Sequence, residues 1–552
     1  MTEIVVPRPA ATLIVVRDGA SGIEVLLGEK TRKVNFAAGA FVFPGGAVDE
    51  GDHLAHTFFG SDRTDSECSK ALGVESGGLS YWIAAIRECF EEVGILFASW
   101  KQGTCKDVAE FVNLLKKLRA DLKTTDCTFS DLIQSAGLTL DAGALHYYSH
   151  WVTQAGSPRR YDTRFFIAAA PEGQTASHDG GELVSHRWVR PNDALDLDLE
   201  GEISLMFPTF KTLEKLSEFS TVGELFADVR SRQIIQPMNP RKTVSAEGSK
   251  LVLPGDYVYA EAGKLDPENL GTTSRDIVPG VPVEIDKRVI RLTAPNPSVM
   301  TGPGTNTYIV GDTDNGFVVI DPGPNSPTHA HSIREITGGK VKWVLCTHTH
   351  VDHSPGALDL ANDYDAKVYG RVANYPERQD GSFKPIKELS DGDHLAFGDI
   401  TLIVVHTPGH ASNHLCFLLP EARMLFSGDH IMQGSTVVIN PPDGDMSQYM
   451  NALEKLKEMD FDWIAPGHGF LIDRPTEAID RLLVHRQKRE RKVIRAFSQI
   501  HGSSLNDLVS YAYDDVSSSL HPLAKRSLLA HLIKLEEEGV VESRGDDWFR
   551  VD

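Results

Sequence analysis

The segment VKWVLCTHTHVDHSPG, residues 341–356, constrains this chain more than any other. It opens as an apolar strand and ends in four metal-ligating side chains, His348, His350, Asp352 and His353, before Pro355 and Gly356 turn the chain. Alternate residues of an extended chain point the same way. His348 and His350 can therefore reach one ion while Asp352 and His353 curl toward a second. Three later strand ends offer matching donors: His410 in VVHTPGH, Asp429 in MLFSGDH and His468 in WIAPGHG. A lone histidine among the 21 present carries little weight, but this ordered set points to a two-ion site. Imidazoles and carboxylates without a thiolate suit zinc, manganese or iron with open positions, where a bound water is acidified toward neutral pH. That is hydrolytic chemistry.

A chain of 552 residues is past the size at which one hydrophobic core stops growing, so two or three domains are expected. Turn residues and polar clusters place a mixed domain over residues 8–230, a connector over 231–284, a strand-rich domain over 285–480 and a helical tail over 485–552. The connector is assigned from MNPRKTVSAEGSK and AEAGKLDPENLGTTSRD, which are charged and lack periodicity, although LVLPGDYVYA within it has the pattern of a docked strand. No run approaches the ~18 apolar residues of a membrane span. MTEIVVPRPAATLIVV lacks the layout of an export signal, and six scattered cysteines form no C-x-x-C pair, so a cytoplasmic location is expected. A net charge of -22 opposes indiscriminate binding to nucleic acid.

The first half carries AFVFPGGAVDEGD and, later, YWIAAIRECFEEVGILF. At 100° per residue the second is a two-faced helix, with Trp82, Ile83, Ile86, Phe90 and Val93 on one side and Glu88, Glu91 and Glu92 nearly opposite. Three clustered carboxylates repel one another unless a cation sits among them, and oxygen donors select magnesium or manganese. A solvated acidic face is the plainer alternative for the helix alone.

In the tail, the order of a basic helix, two further helices and a hairpin in VVESRGDDWFRV suggests a small winged helix. Residues 486–495 hold six basic side chains against one acid, yet from His485 to Asp552 eleven Lys or Arg offset eleven Asp or Glu. A packing or homodimer role is the preferred reading and contact with RNA the alternative.

Across residues 285–480, THTHVDH, the GH, GD and GH pieces and the earlier VVIDPG resemble the metallo-β-lactamase superfamily. The resemblance implies an αββα sandwich in which His348, His350 and His410 hold one ion, Asp352, His353 and His468 the other, and Asp429 bridges them. It gives Asp352 and Asp429 catalytic roles and Asp321 a supporting one. Antibiotic-cleaving members of the main dinuclear type place cysteine where this chain has Asp429; the aspartate pattern resembles thioesterases and phosphodiesterases. GPGTNTYIVG, GDHIMQGSTVVINPPDGDMSQYMNALEKL and LHPLAKRSLLAHLIKLEEEGVV look like the β-lactamase-like protein 2 group, which includes endoribonucleases and polyketide thioesterases. Tyr308 is taken from that likeness as a substrate-binding candidate.

FPGG with RECFEEVGI resembles the Nudix hydrolase box, implying an α/β/α sandwich over residues 8–230. By that resemblance Gly46 is the box glycine, the Gly45 carbonyl, Glu88, Glu91 and Glu92 bind magnesium or manganese, the same glutamates serve catalysis, and Arg87 organises them. Two departures stand out: Asp52 occupies a glutamate position, and 34 residues separate it from Arg87. The interrupted box, with HWVTQAGSPRRYDTRFFIAAAPEGQ, resembles the subgroup that includes coenzyme A diphosphatases. Arg160 and Arg164 are candidates for phosphate and Glu182 for a further acid, with structural salt bridges the alternative for each. The expectation is an α/β multidomain, bifunctional metal-dependent hydrolase acting on a small-molecule diphosphate or thioester such as acyl-coenzyme A. A ribonuclease with a nucleotide-processing Nudix module is the alternative, and a ligand-sensing Nudix half a third.

Overall fold

The protein is seen in a computed structural model that describes residues 5–33, 37–53, 63–100, 108–124, 127–232, 234–500 and 502–551. It contains two compact units, Met1–Arg241 and Lys242–Asp552.

The first unit is built on the strand Arg8–Gly19, buried almost continuously from Ala10 to Val16, as befits a strand covered on both faces. It pairs in parallel with Tyr161–Ala169 and antiparallel with Gly22–Lys30 at the centre of an eight-stranded mixed sheet. Helix α1 (Leu79–Val93) covers one face, setting Trp82, Ile83, Ile86, Phe90 and Val93 against Ala11, Leu13 and Val15. The helices Pro191–Leu199 and Val222–Ser231 pack on the sheet from the other side. The result is the α/β/α sandwich expected.

The second unit stacks a seven-stranded sheet on a five-stranded one. Strict alternation decides which side chains meet: Tyr308, Val310, Val318 and Ile320 of the first sheet face Leu402, Val404, Phe417 and Phe426 of the second. Phe417 and Phe426 are wholly buried, each stabilising the fold by about 1.5–3 kcal/mol. The intervening positions form the outer cores. Ile309, Val319 and Val344 lie under the helices Pro327–Thr337 and Gly356–Tyr364; Val405, Cys416 and Leu425 lie under α2 (Met446–Lys457) and α3 (Pro475–Ala496). This is an αββα sandwich. The helix Leu505–Ala512, α4 (His521–Glu537) and the hairpin of Val541–Arg544 with Asp547–Arg550 close a winged helix around Val493, Leu508, Leu532 and Trp548. No helix among the described residues is long and apolar enough to cross a membrane.

The stretch 231–284 is not a free connector beyond its first residues. Residues from Lys242 onward belong to the second unit, where the helix Tyr259–Leu265 buries Glu261 against Arg291 at 2.6 and 2.9 Å. Glu261 also accepts the Leu471 N–H at 2.9 Å. Its polar composition disguised a docked helix whose charge is matched inside the fold.

Candidate functional site

Two clusters of ligand-type side chains converge at the carboxyl ends of the sandwich strands, His348 with His350 and His410, and Asp352 with His353, Asp429 and His468. Within each, the donor atoms lie within 4.8 Å of one another. His350 Nδ1 is 2.9 Å from His348 Nε2 and 3.0 Å from His410 Nε2. In the second cluster His353 Nε2 lies 3.5 Å from Asp352 Oδ2 and 3.4 Å from Asp429 Oδ1, and His468 Nε2 lies 3.4 and 3.3 Å from the same two atoms. Bonds of about 2.0 Å in a tetrahedron put neighbouring donors about 3.3 Å apart, a spacing that the 3.3–3.5 Å separations of the second cluster match. Asp429 turns Oδ1 to the second cluster and Oδ2 toward His410, 3.8 Å from its Nε2.

The outer ring nitrogens of His353, His410 and His468 are held from outside. Asp321, at a left-handed φ of 49°, accepts from Thr347 N at 2.7 Å and Thr347 Oγ1 at 2.8 Å, and its Oδ2 is 2.9 Å from His353 Nδ1. His410 Nδ1 meets the Val438 carbonyl at 2.8 Å and His468 Nδ1 the Gly304 carbonyl at 3.1 Å. Such anchors fix the tautomer so that the free nitrogen points inward. His353 Nε2 and Asp429 Oδ1 are buried with no hydrogen-bond partner, which a cation would satisfy. Glycine is needed beside them: a Cβ on Gly467 would sit 2.5 Å from Asp429 Oδ1.

Electrostatics agree with ligation. Burial, with neighbouring imidazoles, holds His348 well below its ordinary pKa and His350 at about 3, leaving their lone pairs free. Burial opposes charge on His353 and His468 too, but Asp352 and Asp429 outweigh it, raising His353 well above its ordinary value and His468 to about 9. Without a cation these carboxylates draw protons onto the rings; with one, that attraction falls on the ion. The donor set fits two divalent ions.

Two residues that the sequence motifs did not single out complete this centre. His414 accepts the Asp429 N–H at 3.2 Å through Nε2, and its Nδ1 lies 2.9 Å from Thr407 Oγ1, so it positions Asp429. Gln379 donates to Asp443 at 2.5 Å across the cleft. Tyr308 is corrected: it is 2% exposed, donates to the Pro466 carbonyl at 2.7 Å and packs on Phe426, so it braces the strand before His468 instead of lining the cleft.

In the first unit α1 carries Arg87, buried and bidentate to Asp52 at 2.9 and 3.0 Å, with its remaining donors on Glu88 at 2.8 Å, Glu91 at 3.2 Å and the Ala47 carbonyl at 3.0 Å. The Asp52 departure thus keeps its partner across the interruption. Glu92 Oε2 accepts the Gly45 N–H at 3.1 Å, while its Oε1 is buried without a partner. A Cβ on Gly46 would lie 2.4 Å from Glu88 Oε1, which explains the second glycine. Burial raises Glu88 to about 7 and Glu92 well above the usual carboxylate range, and Glu182 adds its charge to both. Arg87 holds Glu88 and Glu91, and the buried, unpartnered Glu92 oxygen is the one that a hard cation would satisfy, although the three carboxylates do not close into a compact ligand group like those of the second unit.

Arg160 and Arg164 are both spent within the fold, Arg164 in a salt bridge and Arg160 on backbone carbonyls. Arg160 donates to the carbonyls of Thr153 and Val5, and Arg164 is 5% exposed, bound to Asp162 and His150 and set over the Tyr81 ring.

Comparison with known proteins is consistent with both halves. The Metallo-beta-lactamase superfamily matches residues 300–468, the NUDT19 Nudix domain residues 55–216, and the Beta-lactamase associated winged helix domain residues 504–548. A Beta-lactamase-like protein 2 homolog of Caenorhabditis elegans is 30% identical over 274 residues, 49% of this chain and 91% of that protein. Its Drosophila melanogaster counterpart is 30% identical over 290 residues, 50% of this chain and 97% of that protein. The atrochrysone carboxyl ACP thioesterase dmxR1 of Cryptosporiopsis sp. is 31% identical over 276 residues, 47% of this chain and 82% of that protein. The chain belongs to the metallo-β-lactamase superfamily, as a hydrolase of the β-lactamase-like protein 2 type fused to a Nudix hydrolase domain and a winged helix.

Proposed function

We propose that the second unit is a dinuclear hydrolase of acyl thioesters and the first a magnesium- or manganese-dependent diphosphatase, both acting on acyl-coenzyme A or related carriers. The observation that carries the first part is Asp429, one carboxylate with an oxygen toward each ligand cluster. The names of relatives as acyl carrier protein thioesterases support the thioester. His348, His350 and His410 would hold one ion, Asp352, His353 and His468 the other, and Asp429 both. When bound, zinc, manganese or iron acidifies water and polarises a carbonyl. The chain's own contribution is to hold these donors in fixed orientations and to offer Asp352, the more exposed of the two acids, as a proton acceptor through the oxygen it does not turn to His353 and His468. In the Nudix unit Glu88, Glu91, Glu92 and the Gly45 carbonyl would hold the cation, with Arg87 and Asp52 fixing the helix against the glycine turn.

The ribonuclease alternative draws on Lys488, Arg491 and Arg495, exposed on α3. The rest of that basic run is consumed internally: Arg486 donates to the Val437 carbonyl, Arg489 pairs with Asp515 and stacks on Tyr513, and Lys492 pairs with Asp514. These bonds favour a packing role for the run.

The test is to assay acyl-coenzyme A, coenzyme A, ADP-ribose and structured RNA with wild type, Asp429→Ala and Glu91→Gln. Thioester cleavage abolished by Asp429→Ala and diphosphate cleavage abolished by Glu91→Gln are expected. Thioester cleavage that survives Asp429→Ala refutes the assignment; RNA cutting lost only in Asp429→Ala favours the nuclease; activities indifferent to Glu91→Gln leave the Nudix unit a sensor.

A further inference from the structure

A cavity of about 330 Å³ opens over the ligand clusters, with His350, Asp352, His410, Asp429 and His468 in its wall. Its lining also includes Val299 and Met300 and, from the winged helix, Leu520, Leu523 and Arg526. Leu520 ends the short turn Ser518–Leu520, and Leu523 and Arg526 sit three residues apart near the start of α4, hence on one face. That end of α4 is fixed to the cleft wall. The Ile439 N–H reaches Ser527 Oγ at 3.4 Å, Ala530 packs in one core with Val437 and Ile439, and Arg486 holds the Val437 carbonyl at 2.5 Å.

The chemistry of the lining is unusual for a solvated surface. Val299 is 91% exposed, Met300 51% and Leu520 46%, so three large apolar side chains stand in water around one opening. Arg526 is exposed, and its guanidinium makes no hydrogen bond or ion pair with the described residues. Among the described residues lining the cavity it is the one Lys or Arg, beside Asp352, Asp429 and Asp443. A polynucleotide needs a row of cations. One unpaired guanidinium in an apolar rim instead suits a small molecule with an apolar chain and a single anionic group, since guanidinium binds phosphate and carboxylate in a fork.

We infer that the winged helix completes the substrate site of the metallo-β-lactamase domain: Arg526 binds an anionic group of the thioester, and Val299, Met300, Leu520 and Leu523 receive its apolar chain. The inference rests on the thioester reading and adds a specificity-determining residue to it. The anion has two possible sources, a phosphate on the thiol side or a carboxylate at the end of the acyl chain.

The test measures kcat and KM for wild type, Arg526→Gln, Arg526→Lys and Leu523→Ser on three thioesters: an acyl-coenzyme A, the same acyl group on N-acetylcysteamine, and a carboxy-terminated acyl-N-acetylcysteamine. Calorimetric binding of coenzyme A and of the free dicarboxylate runs alongside. A charge-assisted contact predicts that Arg526→Gln raises KM and Kd about ten-fold or more for the anionic member it recognises, with kcat within about two-fold and the neutral thioester unchanged. Arg526→Lys should restore part of the loss, and Leu523→Ser should weaken the preference for longer chains. A selective effect on acyl-coenzyme A identifies the phosphate, one on the carboxy-acyl substrate the carboxylate. Equal losses on all three thioesters, or none, overturn the inference while leaving the thioesterase standing. If wild type cleaves no thioester the function itself fails, and unchanged calorimetric binding in Arg526→Gln then refutes the anion subsite independently.

Discussion

Replacing Asp321 by asparagine tests the ligand shell through one atom. Asp321 accepts the Thr347 N–H through Oδ1, while Oδ2 faces Thr347 Oγ1 and His353 Nδ1 at 2.8 and 2.9 Å. An asparagine that keeps its carbonyl on the Thr347 N–H must turn its amide toward His353, placing donor against donor. The imidazole escapes by moving its proton to Nε2, the nitrogen that faces Asp352 and Asp429. A hydrogen bond to a charged group is worth about 1.5–3 kcal/mol, and each 1.4 kcal/mol is ten-fold, so affinity for the ion that Asp352, His353 and His468 are proposed to hold should fall about 10- to 150-fold. The His348, His350 and His410 cluster does not touch Asp321 directly and should lose much less. The assay is competitive titration of zinc or manganese with a chelator of known affinity, with metal content measured on the same samples. Two ions bound at wild-type affinity by Asp321→Asn, in a folded protein, would refute the claim that Asp321 sets the His353 tautomer for ligation.

Three further outcomes follow from the geometry. Glu261→Ala should destabilise the second unit by about 3–5 kcal/mol, because it leaves Arg291, 2% exposed, as an unpaired buried cation; denaturant unfolding reads this, and an unchanged midpoint contradicts the docking of residues 242–284. Gly46→Ala places a Cβ 2.4 Å from Glu88 Oε1, so calorimetric magnesium or manganese affinity of the Nudix unit should drop by about ten-fold or more, and wild-type binding would exclude Glu88 as a ligand. His531 is wholly buried in α4, and burial lowers its pKa to about 4 although Glu490 opposes it and Lys534 lies nearby. The unfolded chain, titrating near 6.5, then binds the extra proton between these values, so this stability is present above about pH 6.5 and is lost as pH falls toward 4, by up to ~3 kcal/mol. Hydrogen exchange across α4 should show the loss, and His531→Gln should flatten it.

The ligand clusters were legible because the signal is local: a strand fixes the direction of its last side chains, and a glycine such as Gly467 is forced by the carboxylate beside it. Arg87 and its glutamates were legible for the same reason, since fewer than two turns of one helix carry them all. What local pattern does not record is the partner. Tyr308 has the look of a cleft residue until the Pro466 carbonyl 158 positions away accounts for its hydroxyl. The helix around Glu261 has the composition of a tether until Arg291 neutralises it. Net charge misleads in the same way in the tail, where eleven positive and eleven negative side chains cancel on paper. Folding distributes them unequally, drawing Arg489 and Lys492 into pairs with Asp515 and leaving Arg526 unpaired among the described residues. Because α4 is pinned to the wall formed by Val437 and Ile439, that surplus charge stands at the metal cleft. A segment that is neutral on average therefore delivers the one cation that the cleft's own acidic ligands cannot supply, and its function lies in that placement rather than in its total.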